Sequence, residues 1–440
     1  MKFPLRPVFI ALLSVGIVVT AVAVQPSAPT IPEEPVTPLP GVANAAPRYW
    51  KGNLHTHSLW SDGDDFPEMI ADWYKRHGYQ FLALTEHNTL ADGEKWVDAE
   101  KNAVRKTAVE KYRTRFGANW IEQREVNKTV EVRLKPQAEY RSLLEDAGKF
   151  LLVPAEEITH KYAKAPVHIN AINLRDAIKP IDGPNVGETI RVNLGMVADQ
   201  RKRTGWRTIA FLNHPNFGWG VRAEEMLFAD DLRFFEVFNG HPGVRNNGDA
   251  DHASCERLWD IVNAIRVAKL DLPPVRGLAT DDAHGYHAWG VGKVNPGRGW
   301  VMVRAPHLSS EAIVAGLEAG DFYASTGVLL DDVRRDGDEL KLTIRGEPGV
   351  TYRTEFIATM KDVKLDSTPR LGANGEELPV TRVYAEEIGK IVAKSTDLKP
   401  SYQLTGNELY VRAKVVSSKP HPNPYQLGDT ELAWTQPIRP

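Results

Sequence analysis

The run Gly52-Asn53-Leu54-His55-Thr56-His57-Ser58-Leu59-Trp60-Ser61-Asp62-Gly63 decides how this chain is read. Two histidines stand two apart at the end of a short apolar stretch. Alternate side chains of a strand share a face, so His55 and His57 point the same way. Where such a strand ends, both imidazoles can converge on one cation just beyond the sheet. Asp62 follows after a turn and adds an oxygen donor. His-x-His by itself is a weak motif, and a polar strand end facing solvent would read the same. What stands further along decides between the two.

Further along, the pattern repeats. Tyr79 to Leu84 is apolar and ends in Thr85-Glu86-His87-Asn88. Phe150 to Pro154 leads into Ala155-Glu156-Glu157-Ile158, and a fourth run, Val167 to Leu174, opens with His168. Thr208 to Leu212 ends in Asn213-His214-Pro215, Phe234 to Phe238 in Asn239-Gly240-His241, and Val275 to Ala279 in Thr280-Asp281-Asp282-Ala283-His284. Helices are expected between these runs at Phe66–His77, Gly187–Thr204 and Ala250–Val267, and a strand and helix follow at Trp300–Val303 and Ser309–Ala319. Short apolar strands alternating with helices predict a parallel α/β architecture. Ligand-type residues at most strand ends predict a barrel with its site at the C-terminal face.

The flanks differ. Lys2 and Arg6 precede an uncharged apolar run from Val8 to Val24, which reads as an export signal or an uncleaved N-terminal anchor over 1–24. Seven prolines between Gln25 and Pro47 make 25–47 an extended linker. The main domain is expected over 48–330, with a charged, mostly helical insert at about 94–148 in which Thr129–Leu134 alternates like a strand. Helical periodicity fades near Leu330, and 331–440 reads as a small β-rich domain. The protein is therefore expected to be exported, periplasmic or extracellular, touching a membrane only through its N-terminal segment.

Composition narrows the function. With 54 basic against 57 acidic residues and no basic stripe carrying aromatics, no nucleic-acid partner is expected. The single cysteine, Cys255, excludes an internal disulfide and a thiolate metal cluster. Eleven of the 13 histidines fall between His55 and His287. Histidine and carboxylate without thiolate suit zinc, manganese or iron. The chain offers His55, His57, Asp62, His87, Glu157, His168, His214, Asp282 and His284 as ligands, with Glu157 placed to bridge two of two or three divalent ions. A water shared by such ions becomes the nucleophile, and no Gly-x-Ser-x-Gly elbow competes with it. Lys161, Arg222 and Arg245 follow strand ends and are candidate phosphate partners. His241, His287 and His160 are candidates to protonate a leaving group. Trp60, Trp219, Trp289 and Tyr286 fall near the same loops, either walling a pocket or simply packing them.

The order of His55-Thr56-His57-Ser58, Ser61-Asp62-Gly63, Thr85-Glu86-His87-Asn88, Glu156-Glu157-Ile158, Asn213-His214-Pro215 and Asp282-Ala283-His284 resembles the PHP (polymerase and histidinol phosphatase) superfamily of metallohydrolases. Glu236-Val237-Phe238-Asn239-Gly240 and Phe322-Tyr323-Ala324-Ser325-Thr326-Gly327 are similar to its CehA/McbA branch. The resemblance covers about Arg48 to Gly327. It implies a distorted (β/α)7 barrel holding three ions. One would sit on His55, His57, Glu157 and Asp282; a second would share Glu157 and add His168 and His214; the third would use Asp62, His87 and His284. Two positions depart from the family pattern: Glu86 stands where aspartate is usual, and Asp62 where some members have histidine. The expected activity is hydrolysis of a small phosphate ester. The alternatives are hydrolysis of a carbamate, amide or carboxylic ester at the same site, or a non-catalytic barrel that binds a ligand or partner.

Overall fold

The computed structural model describes residues 45–440. The expected signal or anchor and nearly all of the linker lie outside them. No helix among the described residues is long and apolar enough to cross a membrane. Thirteen strands form one mixed sheet and are numbered here in chain order: β1 (Arg48–Asn53), β2 (Phe81–His87), β3 (Leu151–Tyr162), β4 (Ala165–Ile172), β5 (Ile209–Leu212), β6 (Phe234–Asn239), β7 (Arg276–Thr280), β8 (Trp300–Ala305), β9 (Phe322–Ser325), β10 (Tyr352–Met360), β11 (Lys390–Ser395), β12 (Glu408–Pro420) and β13 (Thr430–Thr435). Their order across the sheet is β7-β6-β5-β4-β3-β2-β1-β8-β9-β13-β12-β10-β11.

The pairs β1–β2, β2–β3, β5–β6 and β6–β7 are parallel. β4 is antiparallel to both neighbours, where the sequence predicts another parallel strand. The reason is the connection. Only Ala163 and Lys164 separate β3 from β4, with Ala163 at φ +53°. Two residues make a hairpin, whereas a parallel crossover needs a dozen or more. The ladders therefore describe a large mixed sheet whose parallel pairs all lie among β1–β7, rather than a regular strand-helix alternation. One parallel bridge, Thr56 to Ala283, joins the segments leaving β1 and β7. It is flanked by His57 N–H to the Ala283 carbonyl and Asp282 N–H to the His55 carbonyl, both 2.9 Å. These bonds place the ends of first and last core strands side by side, which is where the candidate ligands stand.

Seven helices accompany the sheet: α1 (Pro67–Arg76), α2 (Ala103–Phe116), α3 (Gln137–Leu144), α4 (Val186–Thr204), α5 (Ala223–Met226), α6 (Cys255–Lys269) and α7 (Ser310–Ala319). Pro67 opens α1 and Lys75 and Arg76 close it, as the helix dipole favours. The Asn185 side chain caps α4, which ends at Gly205 in the left-handed region at φ +73°. α6 starts later than its periodicity predicts because Ser254, not a residue near 250, accepts the first helical N–H, from Arg257. The insert is less helical than expected: Lys95–Asp98, Gln123–Val126 and Thr129–Leu134 form a three-stranded antiparallel sheet beside α2 and α3. Beyond residue 330 the chain is β-rich, and β13 pairs with β9, so these late strands extend the main sheet.

The insert docks on α1 through a buried acid. Glu68 is fully buried; Oε1 accepts the Tyr112 hydroxyl at 2.6 Å, and Oε2 has no partner among the described residues. Burial pushes its pKa up to about 7. Between the ordinary carboxylate value and about 7 the folded chain holds a proton that the unfolded chain has lost. Stability from this site is thus present at acidic pH and falls as pH rises through that window. Glu68→Gln is expected to raise stability at pH 8 by about 1–3 kcal/mol and to change nothing at pH 4, checked by denaturant titration at the two pH values.

Candidate metal centre

Seven of the nine expected ligands reach one site from a strand end or the loop after it, and Glu157 and His168 reach it from within β3 and β4. His55 and His57 follow β1 and are wholly buried. His87 ends β2 directly opposite Glu157 of β3 in the ladder. His168 lies in β4, while His214 follows β5 and Asp282 and His284 follow β7. Asp282 takes φ +48°, a left-handed conformation that a non-glycine residue adopts at a cost of roughly 1–3 kcal/mol. The Asp282 carboxylate is thereby aimed back at His55 rather than along the strand.

The distances are those of a crowded cage. Glu157 Oε1 lies 3.5 Å from His55 Nε2, 3.5 Å from His214 Nε2 and 3.0 Å from His168 Nδ1. Glu157 Oε2 lies 3.6 Å from His57 Nε2 and 2.6 Å from His87 Nδ1. Asp282 Oδ1 is 3.2 Å from His55 Nε2 and 3.4 Å from His57 Nε2. Asp62 Oδ1 meets His87 Nε2 at 3.4 Å and His284 Nε2 at 3.2 Å. Three sets hold ligand atoms within 4.8 Å of one another: His57, Asp62, His87 and His284; His55, Glu157 and His214; and His55, His57 and Asp282. Set against the expected groups, His57 joins the Asp62 set, His55 stands beside Glu157 and His214 where His168 was expected, and Glu157 is absent from the set of His55, His57 and Asp282. The carboxylates of Asp62, Glu157 and Asp282 form ion pairs with histidine alone, with no lysine or arginine among the described residues.

Two buried nitrogens test whether this set fits a cation. His55 Nε2 and His57 Nε2 have no hydrogen-bond partner among the described residues. Their tautomers are set from behind. His55 Nδ1 lies 2.6 Å from Glu236 Oε1, so its proton belongs there and Nε2 presents a lone pair. His57 Nδ1 faces Ser61 Oγ at 3.2 Å, and the Ser61 hydroxyl in turn donates to Glu86. Two buried lone pairs beside carboxylate oxygens, with nothing to accept from, suit a bound divalent cation and little else. Against its own burial, Asp282, Glu236 and Glu157 hold His55 well above the usual histidine range, so a cation at Nε2 would have to displace a proton there. Despite burial, the surrounding histidines hold Glu157 and Asp282 well below the usual carboxylate range. Burial, followed by the charge of His284, pushes His57 down to about 3, keeping it neutral. Against its own burial, His87 is pushed up to about 10 by Asp62 and Glu157.

Several residues that support the cage carry no ligand motif. Glu236 accepts from Thr280 Oγ1 and the His214 N–H, both at 2.7 Å, besides holding His55. Its signal in the sequence is a lone acid inside the apolar run Phe234 to Phe238. Asn213 donates to Glu157 at 2.7 Å, and Asn239 to Asp282 at 3.1 Å. Glu86, the departure from the family pattern, is not among the ligands. It takes the Ser58 N–H and the hydroxyls of Ser58 and Ser61, and so fixes the turn after His57. Glu156 points away from the cage and accepts the Ile178 N–H. Glu236→Gln is expected to lower affinity for divalent metal by about 10–100-fold while the chain stays folded, read by competition against a chelator.

Of the six acid, base and phosphate-binding candidates, the structure brings one to the cage. The His241 ring lies 5.6 Å from His284 and 5.8 Å from Phe217, and its Nδ1 accepts the Gly243 N–H, leaving the proton on Nε2. The others do not join it. His160 sits on the opposite face of β3 from Glu157 and binds Asp182 at 2.7 Å. His287 packs against Asp65 and Asp64, with Nδ1 at 2.9 Å from Lys111. Arg222 is held by Glu225 at 2.6 Å. Arg245 lies over the Trp219 ring, and Lys161 is exposed without an ion pair among the described residues. The aromatic residues mostly pack: Trp60 donates to the Lys135 carbonyl, Tyr286 bonds Thr56, Trp289 stacks on Trp73 and Trp219 on His252. Phe217, not singled out by sequence, instead stands 5.1 Å from His214 and 6.2 Å from His168.

No protein-family model and no curated protein matches the chain. Among solved structures it is similar to a two-domain protein from Bacteroides vulgatus containing a predicted PHP-like metal-dependent phosphoesterase. That match covers 89% of this chain and 96% of the other at 15% identity, with a TM-score of 0.37. A second, a candidate metal-dependent phosphoesterase from Bifidobacterium adolescentis, covers 53% of this chain and 87% of its own at 13% identity, with a TM-score of 0.27. Both superpositions are loose.

Proposed function

We propose that this protein is an exported, PHP-type metal-dependent hydrolase that cleaves a small phosphate ester. The observation that carries the reading is the pair of buried, unpartnered Nε2 atoms on His55 and His57, facing Glu157 and Asp282 inside a ring of further histidines. Two or three divalent ions (zinc, manganese or iron) would be held by the nine side chains and would supply an activated water and charge for the ester oxygens. Glu157 spans the groups and is the natural shared ligand. Glu236 and Ser61 fix the two leading imidazoles so that neither must reorient during turnover. His241, which carries its proton on Nε2, is the ring N–H brought nearest the cage and would hydrogen-bond a leaving oxygen there. In this reading, 48–330 is the catalytic unit, a PHP-type barrel of the CehA/McbA kind, and 331–440 an appended β unit.

A second reading has a specific observation behind it. Among the described residues no lysine or arginine pairs with the cage carboxylates, Arg222 and Arg245 are engaged elsewhere, and Phe217 presents an aromatic wall. A phosphate dianion gains from cationic partners, whereas a carbamate or carboxylic ester does not need them. Turnover of nitrophenyl phosphate against nitrophenyl acetate and naphthyl carbamate separates the two. Phosphate hydrolysis that disappears on chelation supports the first reading, and hydrolysis of only the carboxylic substrates overturns it. Ligand binding without any turnover would point to the non-catalytic alternative.

A further inference from the structure

A cavity of about 410 Å³ opens at the other end of the same strands, where β5, β6 and β7 begin at Ile209, Phe234 and Arg276. One wall is apolar, formed by Leu194 and Val197 of α4 with Ile209, Phe234 and Pro273. Its polar groups do not balance. Arg201 is paired with Glu318, and Arg207 reaches Glu311 at 3.1 Å and Glu318 at 3.2 Å. Arg233 lies 4.0 Å from Asp231 and donates to the Asp230 carbonyl. The Arg276 side chain makes no hydrogen bond or ion pair among the described residues; its guanidinium only rests over the Phe234 ring at 5.7 Å. A Cβ at Gly320 would stand 2.7 Å from Arg276 Nε, so glycine there leaves the guanidinium its room. Thr208 lines the same cavity at 3% exposure, and its hydroxyl is buried without a partner.

One spare positive charge, one orphaned buried hydroxyl and an apolar wall define a complementary ligand. We infer that this cavity is a second small-molecule site, separate from the metal centre, that binds an amphipathic monocarboxylate. The planar guanidinium of Arg276 offers two parallel N–H groups to a carboxylate, and Thr208 adds a third donor. A short alkyl or aryl body lies on Leu194, Val197 and Phe234. Burial and the neighbouring Arg233 disfavour the charge on Arg276 more than the more distant Glu318 and Asp321 favour it, and an incoming anion relieves that. A single negative charge matches the single uncompensated cation, which favours a carboxylate over a phosphate dianion.

Calorimetric titration of the whole chain with octanoate tests this, with octanol and inorganic phosphate as controls. The expected result is one octanoate per chain, binding that survives chelation of metals, and no heat from octanol. Arg276→Met is expected to weaken binding about tenfold or more, and Arg276→Lys to keep part of it. Should Arg276→Met fail to fold, Ala198→Phe, on the exposed side of α4, is expected to block the cavity and abolish binding. Unchanged affinity in these variants, equal binding of octanol, preference for phosphate, loss of binding on chelation, or no binding at all would each overturn the assignment.

Discussion

Replacing Glu157 by alanine is expected to lower turnover of any substrate by at least about a thousandfold, equivalent to roughly 4 kcal/mol of barrier. This one carboxylate stands within 3.6 Å of five imidazoles, those of His55, His57, His87, His168 and His214. Among the described residues no other acid pairs with both His55 and His87. Without it, the groups lose their shared oxygen ligand, and several buried imidazoles lose their counter-charge together. Glu157→Gln keeps the shape and the Asn213 contact while removing the charge, so it separates electrostatic loss from collapse. Steady-state rates with a thermal melt of each variant check the expectation. Near wild-type activity in folded Glu157→Ala would rule out the cage as the catalytic site.

The second large effect lies far from the cage. Asp260 of α6 and Arg412 of β12 are 4% and 1% exposed, and bond in parallel: Arg412 Nε to Oδ1 at 2.9 Å and Nη2 to Oδ2 at 2.7 Å. The Tyr410 hydroxyl also donates to Asp260 Oδ1 at 2.9 Å. This pair clamps the late β strands to α6. Breaking a buried pair leaves the surviving charge without compensation, at a cost of about 3–5 kcal/mol. Asp260→Ala is expected to lose that much stability, a fall in Tm of about 4–6 °C. A double change to Asp260→Leu with Arg412→Met, which buries no orphan charge, is expected to recover most of it. Denaturant titration of the three proteins reads both outcomes.

The metal-type residues were legible because their chemistry is unusual where they stand. An imidazole or carboxylate at the end of an apolar run is conspicuous, and His55, His87, Glu157, His214 and Asp282 each occupy such an end. Strand positions followed from the same runs. Direction was less legible: a two-residue gap at Ala163 and Lys164 turns β4 back, and run lengths alone do not show it. The pairing of Ser325 with Ala433 joins residues over a hundred apart, beyond the reach of any local pattern. Supporting residues were the least visible. Glu236 and Glu86 act through hydrogen bonds to particular neighbours, and those neighbours come together only in the folded chain. The cationic candidates failed for a related reason. Proximity to a strand end says nothing about which acid will capture an arginine, and Glu225 captured Arg222 from three residues away.

The most direct measurement is the metal content of the purified chain by elemental analysis, before and after dialysis against a chelator and re-addition of zinc, manganese or iron. Two or three equivalents of divalent metal per chain are expected, recovered on re-addition and sharply reduced in Glu157→Ala and His57→Ala. A folded wild-type chain that takes up none of these ions would contradict the account.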